Sequence, residues 1–359
     1  MKQLVFIFFG LLLILVVAFF AWPEQSYEPY EVSEDYRSQV AAFNIPDMPA
    51  DWEWGTFTSE DGMKMRYGQS GNSGSSRATI VMIPGYTATM DMYGEQAAEI
   101  ASRGYHVVGF DLRGQGGSER PRPFQPEKLL IENFNIYEND VALFLQDLDV
   151  PKGQPVVILG LSFGGHIGFR VAAEHADLVD GVLLLAPALK PSSGDMSFEE
   201  AERLLRLGDA VGKGTRYLPG ETDWKPYNED NLLQVGIEHC SSSPKRLPLR
   251  DAIFTVRPEQ RVGGITFNWG REFYRSSHYV LQPGYAEALK MPVTMIHAEL
   301  DNFVVTETNK HVCQNRVPDC QSVAIPGAGH CLLQETDNVL EQVYDAVEEI
   351  VRRVKKRPA

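Results

Sequence analysis

Gly160-Leu161-Ser162-Phe163-Gly164 stands between a continuous apolar run, residues 156–159, and a segment with helical apolar spacing, residues 165–174. A chain passes from a buried strand to a helix this abruptly only through a sharp turn. The two glycines leave room for that turn, where side chains would crowd the backbone. A serine at the apex of such a corner presents its hydroxyl above the carboxyl edge of a sheet, as an activated nucleophile does. The pentapeptide is short enough to arise by chance, so its meaning depends on what else lies at the same edge.

The same rhythm runs through most of the 359 residues. Apolar, β-rich runs at 79–83, 106–111, 156–159, 182–185, 293–297 and 322–325 alternate with helical patterns at 92–103, 137–148, 165–174, 306–312 and 338–355. Fully apolar strands joined by helices imply a largely parallel sheet covered on both faces. Asp61-Gly62 inside residues 57–67 predicts a hairpin. The rhythm lapses over residues 190–284, which read as a cap inserted over the carboxyl edge of the sheet, leaving residues 51–189 and 285–359 as the core. Residues 23–50 carry four prolines among acidic residues and read as an extended linker.

Ahead of that linker, residues 4–22 are apolar apart from Gly10. At about 1.5 Å per residue the run spans roughly 28 Å, near the ~30 Å of a hydrocarbon core. It predicts a transmembrane anchor over residues 1–22. A signal peptide is the rival reading, but the run exceeds a typical h-region, and Phe19 stands where a small residue is wanted for cleavage. Lys2 before the run and Glu24, Glu28, Glu31, Glu34 and Asp35 after it place the body outside the cytoplasm. Cys313 and Cys320 are close enough in sequence to pair in an oxidising compartment, and four unpaired thiols are the alternative. The net charge of −15 argues against nucleic acid as a partner.

Two further strand ends complete a catalytic set. Asp301 lies just past the 293–297 run, and His330 ends the Gly-Ala-Gly-His loop after the last one. Ser162, Asp301 and His330 occur in the chain order that a strand–turn–helix nucleophile requires. His330 takes the serine proton, and Asp301 fixes the imidazole tautomer. Glu299 is the nearest competing carboxylate. The oxyanion donors are expected to be the main-chain N–H of Phe163 and that of Tyr86, in Ile83-Pro84-Gly85-Tyr86. The glycine-rich stretch 111–118 lacks phosphate-cradling spacing and reads as structural, shaping the rim.

At these residues the chain resembles the α/β-hydrolase superfamily, in its branch of monoglyceride lipases, S33-type serine aminopeptidases and bacterial inner-membrane lysophospholipases. The triad, the Ser-Glu-Asp-Gly hairpin, Asp-Leu-Arg-Gly-Gln-Gly-Gly-Ser and Gly-Ala-Gly-His carry the likeness across residues 52–350, and the 261–272 segment carries it into the cap. Leu161 and Phe163 replace the usual His and Met beside the serine, and Pro84-Gly85 replaces His-Gly, which alters the pocket walls. The resemblance implies an α/β-hydrolase fold with an inserted helical cap. It also implies an acyl-enzyme esterase needing no cofactor or metal, acting at a membrane surface on a lysophospholipid or monoacylglycerol. The implied location is a bacterial inner membrane, crossed once, with the catalytic domain in the periplasm. Acyl transfer, and a non-catalytic lipid-binding role, remain alternatives. Residues 245–275 hold seven basic and three acidic side chains, a local +4. Arg257, Arg261 and Arg271 are candidates for a phosphate head group, and internal ion pairs are the other reading.

Overall fold

The computed structural model describes residues 26–71, 73–234 and 240–357. The expected anchor, residues 1–22, lies outside the described residues. Among the described residues, no helix is long and apolar enough to cross a membrane.

Eight strands form one sheet in the order β1-β2-β4-β3-β5-β6-β7-β8. β1 (Glu53–Thr58) and β2 (Lys64–Ser70) make the hairpin predicted at Asp61-Gly62, and β2 pairs antiparallel with β4 (His106–Phe110). β3 (Thr79–Ile83), β5 (Val156–Leu161), β6 (Gly181–Leu185), β7 (Val293–Ala298) and β8 (Cys320–Ile325) continue the sheet in parallel from β4. The largely apolar runs of β3, β5, β6 and β7 are explained by burial on both faces, whereas β8, at the sheet edge, is half-exposed. Val157, Leu159 and Leu161 pack into one core and Ile158 into the other, the period-two alternation of a strand.

Helices cover both faces. α2 (Gly94–Ser102) and α9 (Asp337–Lys355) lie against the first core, while α3 (Asn135–Asp147) and α4 (Phe163–Glu174) lie against the second. α8 (Thr306–Asn315) packs beside β7 and β8. β3 and β5 are neighbours although β4 lies between them in sequence, so their carboxyl ends flank the switch point where such sheets bind ligands. Between β6 and β7 the chain runs through α5 (Phe198–Gly208), α6 (Leu249–Val256) and α7 (Phe267–Val280), in the interval where a cap was expected.

The linker expectation needs correction. Residues 34–42 form a helix, α1 (Glu34–Ala42), rather than an extended tether. Ser33 caps it by accepting from Tyr36 N–H at 3.1 Å, and Glu34 and Asp35 suit the positive end of its dipole. Tyr36 and Val40 are buried on its inner face. The prolines at 29, 46 and 49 lie outside this helix, so they do not oppose it.

Candidate active site

β5 ends at Leu161 and α4 starts at Phe163, so Ser162 alone makes the corner, with φ 52° and ψ −113°. That is a costly conformation for a residue with a Cβ, of order 1–3 kcal/mol, and it persists only where the surroundings enforce it. Here Ser162 N–H donates to Leu185 O at 2.9 Å, and Ser162 O accepts from Ala188 N–H at 3.0 Å and His166 N–H at 2.9 Å. The flanking glycines are sterically required. A Cβ on Gly160 would meet Gly164 O at 2.6 Å, and one on Gly164 would meet Ile83 O at 2.1 Å.

Beyond β7, Asp301 is held in place by its own loop: Oδ1 accepts from Phe303 N–H at 2.8 Å and Val304 N–H at 3.1 Å. Its other oxygen, Oδ2, lies 2.7 Å from His330 Nδ1. This leaves Nε2 of His330 as the ring nitrogen available for proton transfer. Glu299 instead accepts from Gly327 N–H at 2.7 Å, within the turn that leads to His330. Phe303 stacks on the imidazole with centroids 4.9 Å apart.

The loop bearing His330 is joined to the cap. Cys331 forms a disulfide with Cys240, and Cys313 pairs with Cys320, so all four cysteines are bonded. A closed loop of about 90 residues contributes about 4–5 kcal/mol in the chain-entropy account. Glu335, fully buried, accepts from Gly329 N–H at 2.8 Å and from Ser242 N–H at 3.1 Å, so one carboxylate ties the residue before His330 to the cap. Arg246 adds a bond from Nη1 to Glu335 O at 2.7 Å. Sequence spacing pointed to Cys313–Cys320 and not to Cys240–Cys331. The signal that was available is the cysteine immediately after the histidine.

Ser162 and His330 line one cavity of about 80 Å³, together with Gly85, Tyr86, Leu161, Tyr227, Leu247 and Arg250. Gly85 approaches closely: a Cβ built on it would lie 3.3 Å from Ser162 Cβ. The Tyr86 N–H donates to nothing among the described residues. As the first residue of α4, Phe163 has no intrahelical acceptor for its N–H. Leu161 forms a cavity wall, but the Phe163 ring does not. It is buried among Tyr137 (5.0 Å), Trp269 (5.2 Å) and Phe134 (5.6 Å).

The three arginines expected at a head group do not line this cavity. Arg257 pairs with Asp91. Arg261 donates to Phe254 O at 2.8 Å and Tyr30 O at 2.9 Å. Arg271 pairs with Glu272 at 2.6 Å and with Asp209. A count of local charge finds cations without revealing their partners, and here the partners are internal. Arg250 is the cation that sequence reasoning missed at the cavity. Its Nε and Nη2 donate to Asp251 at 3.1 and 2.8 Å, and Nη1 donates to the Tyr227 hydroxyl.

Comparison with known proteins agrees with this architecture. Lysophospholipase L2 of Escherichia coli K12 is 26% identical over 339 residues, covering 89% of this chain and 94% of that protein. A probable lysophospholipase L2 of Haemophilus influenzae is 24% identical over 276 residues, covering 76% and 82%. Among solved structures, a soluble variant of the Saccharomyces cerevisiae monoglyceride lipase, bound to a substrate analogue, superposes with a TM-score of 0.65. It is 18% identical, covering 93% of this chain and 100% of that one, a likeness of fold. The serine aminopeptidase S33 family profile matches residues 74–337, and with the Ser162 corner and the Asp301–His330 pair on one sheet edge, the chain belongs to that family of the α/β-hydrolase superfamily.

Proposed function

We propose that this protein is a serine esterase that removes the single acyl chain of a lysophospholipid through a Ser162–His330–Asp301 acyl-enzyme mechanism. The observation that carries the reading is the 2.7 Å contact between His330 Nδ1 and Asp301 Oδ2, behind an imidazole that shares a cavity with the strained Ser162. The lysophospholipase L2 relatives favour the lipid substrate.

In this mechanism Ser162 Oγ attacks the ester carbonyl as His330 Nε2 accepts its proton. The carbonyl π pair moves onto oxygen, toward the N–H groups of Tyr86 and Phe163. Collapse breaks the ester C–O bond, and His330 returns the proton to the departing glycerol oxygen. Water then attacks the acyl-Ser162 ester as His330 accepts its proton; collapse breaks the Ser162 Oγ–acyl bond, His330 returns the proton to Oγ, and the fatty acid leaves. The 80 Å³ cavity is far smaller than the roughly 300–1,000 Å³ typical of ligand sites. It suits the reacting ester, while the acyl chain must lie beyond it or displace cap residues such as Leu247.

The two disulfides fit an oxidising compartment. Together with the apolar run of residues 4–22, they favour a single inner-membrane anchor with the catalytic domain in the periplasm. Arg250 is the group we assign to the phosphate, because it lines the cavity that holds Ser162 and its Nη1 can exchange the neutral Tyr227 hydroxyl for a phosphate oxygen. Arg250→Gln is expected to lower kcat/KM for lysophosphatidylethanolamine about ten- to a hundredfold, the loss of one charge-assisted hydrogen bond. The loss should be smaller for the uncharged monoacylglycerol of the same chain length. Equal losses on both substrates would leave the head-group assignment without support. Product analysis tests the reaction itself. Free fatty acid with glycerophosphoethanolamine marks hydrolysis, diacyl lipid formed from an added acceptor marks acyl transfer, and turnover confined to monoacylglycerol marks a monoacylglycerol lipase.

A further inference from the structure

We infer that Gln115 is a positioning residue for the oxyanion hole, acting through the peptide that carries the Tyr86 N–H. The inference rests on the serine-esterase reading above and adds to it a group that does not touch substrate. Gln115 lies in the glycine-rich loop after β4 and is 1% exposed. Its Oε1 accepts from Thr87 N–H at 2.8 Å, and its Nε2 donates to Gly85 O at 3.3 Å. One amide therefore grips the main chain on both sides of Tyr86. Its orientation is unambiguous, because an N–H can only donate and a carbonyl can only accept.

The Gly85 contact acts on the oxyanion donor directly. Gly85 O and Tyr86 N–H belong to the same peptide unit, and no peptide bond here is cis. In a planar trans peptide the two groups point in opposite directions. Holding the oxygen thus aims the N–H, and a hydrogen bond on the carbonyl also strengthens the N–H as a donor. The Thr87 contact secures the turn. Ala88 N–H bonds to Gly85 O at 3.3 Å, closing a tight turn with Thr87 at φ 57°. That region favours glycine, and a β-branched residue there costs of order 1–3 kcal/mol unless its surroundings hold it. Gln115 Oε1 supplies such a hold.

The loop that bears Gln115 is itself braced. Gln115 N–H donates to Leu112 O at 3.0 Å, and Gly117 N–H donates to Asp111 Oδ2 at 3.0 Å. The other oxygen of Asp111 accepts from Met90 N–H at 2.8 Å, at the far end of the oxyanion loop. The stretch first read as a shaped rim is thus a clamp on the loop opposite the nucleophile. The carboxamide supplies a donor and an acceptor together at this reach.

The test uses two variants of the full-length protein. Gln115→Glu keeps an acceptor for Thr87 but removes the donor to Gly85 O, and Gln115→Met keeps the volume and removes both bonds. Loss of a whole oxyanion donor costs about 10²–10³ in rate. A misaimed one is expected to lower kcat about 10- to 100-fold in either variant, with KM changed less than about threefold. Affinity for an acyl trifluoromethyl ketone, whose adduct carries the oxyanion, should fall by the same factor as kcat. Binding of the matching ether lipid, which has no carbonyl, should stay level. A folded variant with wild-type kcat, or one that loses kcat while ketone affinity is unchanged, overturns the inference. The wild-type protein separates this failure from that of the parent reading. If it neither hydrolyses the ester nor forms the ketone adduct, the esterase reading falls and this inference with it.

Discussion

Asp301→Asn is expected to lower kcat about 10⁴-fold, the loss typical of a triad whose histidine is held in the wrong tautomer. The direction follows from the donors around the side chain. Asp301 Oδ1 accepts two main-chain N–H groups, from Phe303 at 2.8 Å and Val304 at 3.1 Å. An asparagine must keep its oxygen there, since an NH₂ would face two donors. Its NH₂ then faces His330 Nδ1, which must accept, and the ring proton moves to Nε2. A nitrogen that already carries a proton cannot take one from Ser162. The loop keeps its two main-chain bonds, so thermal unfolding should shift by only a few degrees. Steady-state kinetics on a lysophospholipid, paired with a melting curve, checks both halves. A kcat within tenfold of wild type would remove Asp301 from the mechanism.

Gly164→Ala is expected to cost at least about 3 kcal/mol of stability and to abolish measurable turnover, because it overpacks a site that cannot yield. The added methyl would meet Ile83 O at 2.1 Å and Pro84 O at 2.4 Å. Both are backbone atoms of the strand end that leads into Gly85 and Tyr86, so no rotamer change relieves the clash. Relief requires the Ser162 corner to separate from the loop of residues 84–86. Gly284→Ala is the control. Unlike the helical Gly164 it has positive φ, at 90°, and nothing lies within 4 Å of its new methyl, so only backbone strain of about 1–2 kcal/mol remains. Denaturant titration of the two variants distinguishes a steric clash from the loss of glycine's flexibility. Equal, small effects would contradict the close packing described here.

The sheet was legible because it is buried on both faces. The central parallel strands β3, β5, β6 and β7 are buried and largely apolar, and the candidate site residues follow the ends of β3, β5, β7 and β8. Strand alternation and loop position favoured Asp301 over Glu299; in the structure Glu299 serves the turn at Gly327, and Asp301 faces His330. What escaped notice depends on partners distant in sequence. Cys240 and Cys331 are 91 residues apart, whereas Cys313 and Cys320 are 7 apart and invited pairing. α1 was hidden among prolines that fall on either side of it. Arg257, Arg261 and Arg271 had the charge expected of a phosphate site, but they do not line the cavity that holds Ser162. Gln115 lies in the 111–118 stretch that carries the family resemblance and was read only as a rim; the two main-chain groups it grips reveal its role.

The central claim is that Ser162 is the nucleophile, and covalent labelling tests it most directly. A fluorophosphonate incubated with the purified full-length protein, followed by peptide mass spectrometry, is expected to place one adduct on the peptide containing Ser162. Ser162→Ala should remain folded, take up no label and lose at least about 10⁴ in lysophospholipid turnover. An adduct on a different residue, or undiminished hydrolysis by Ser162→Ala, would contradict the account.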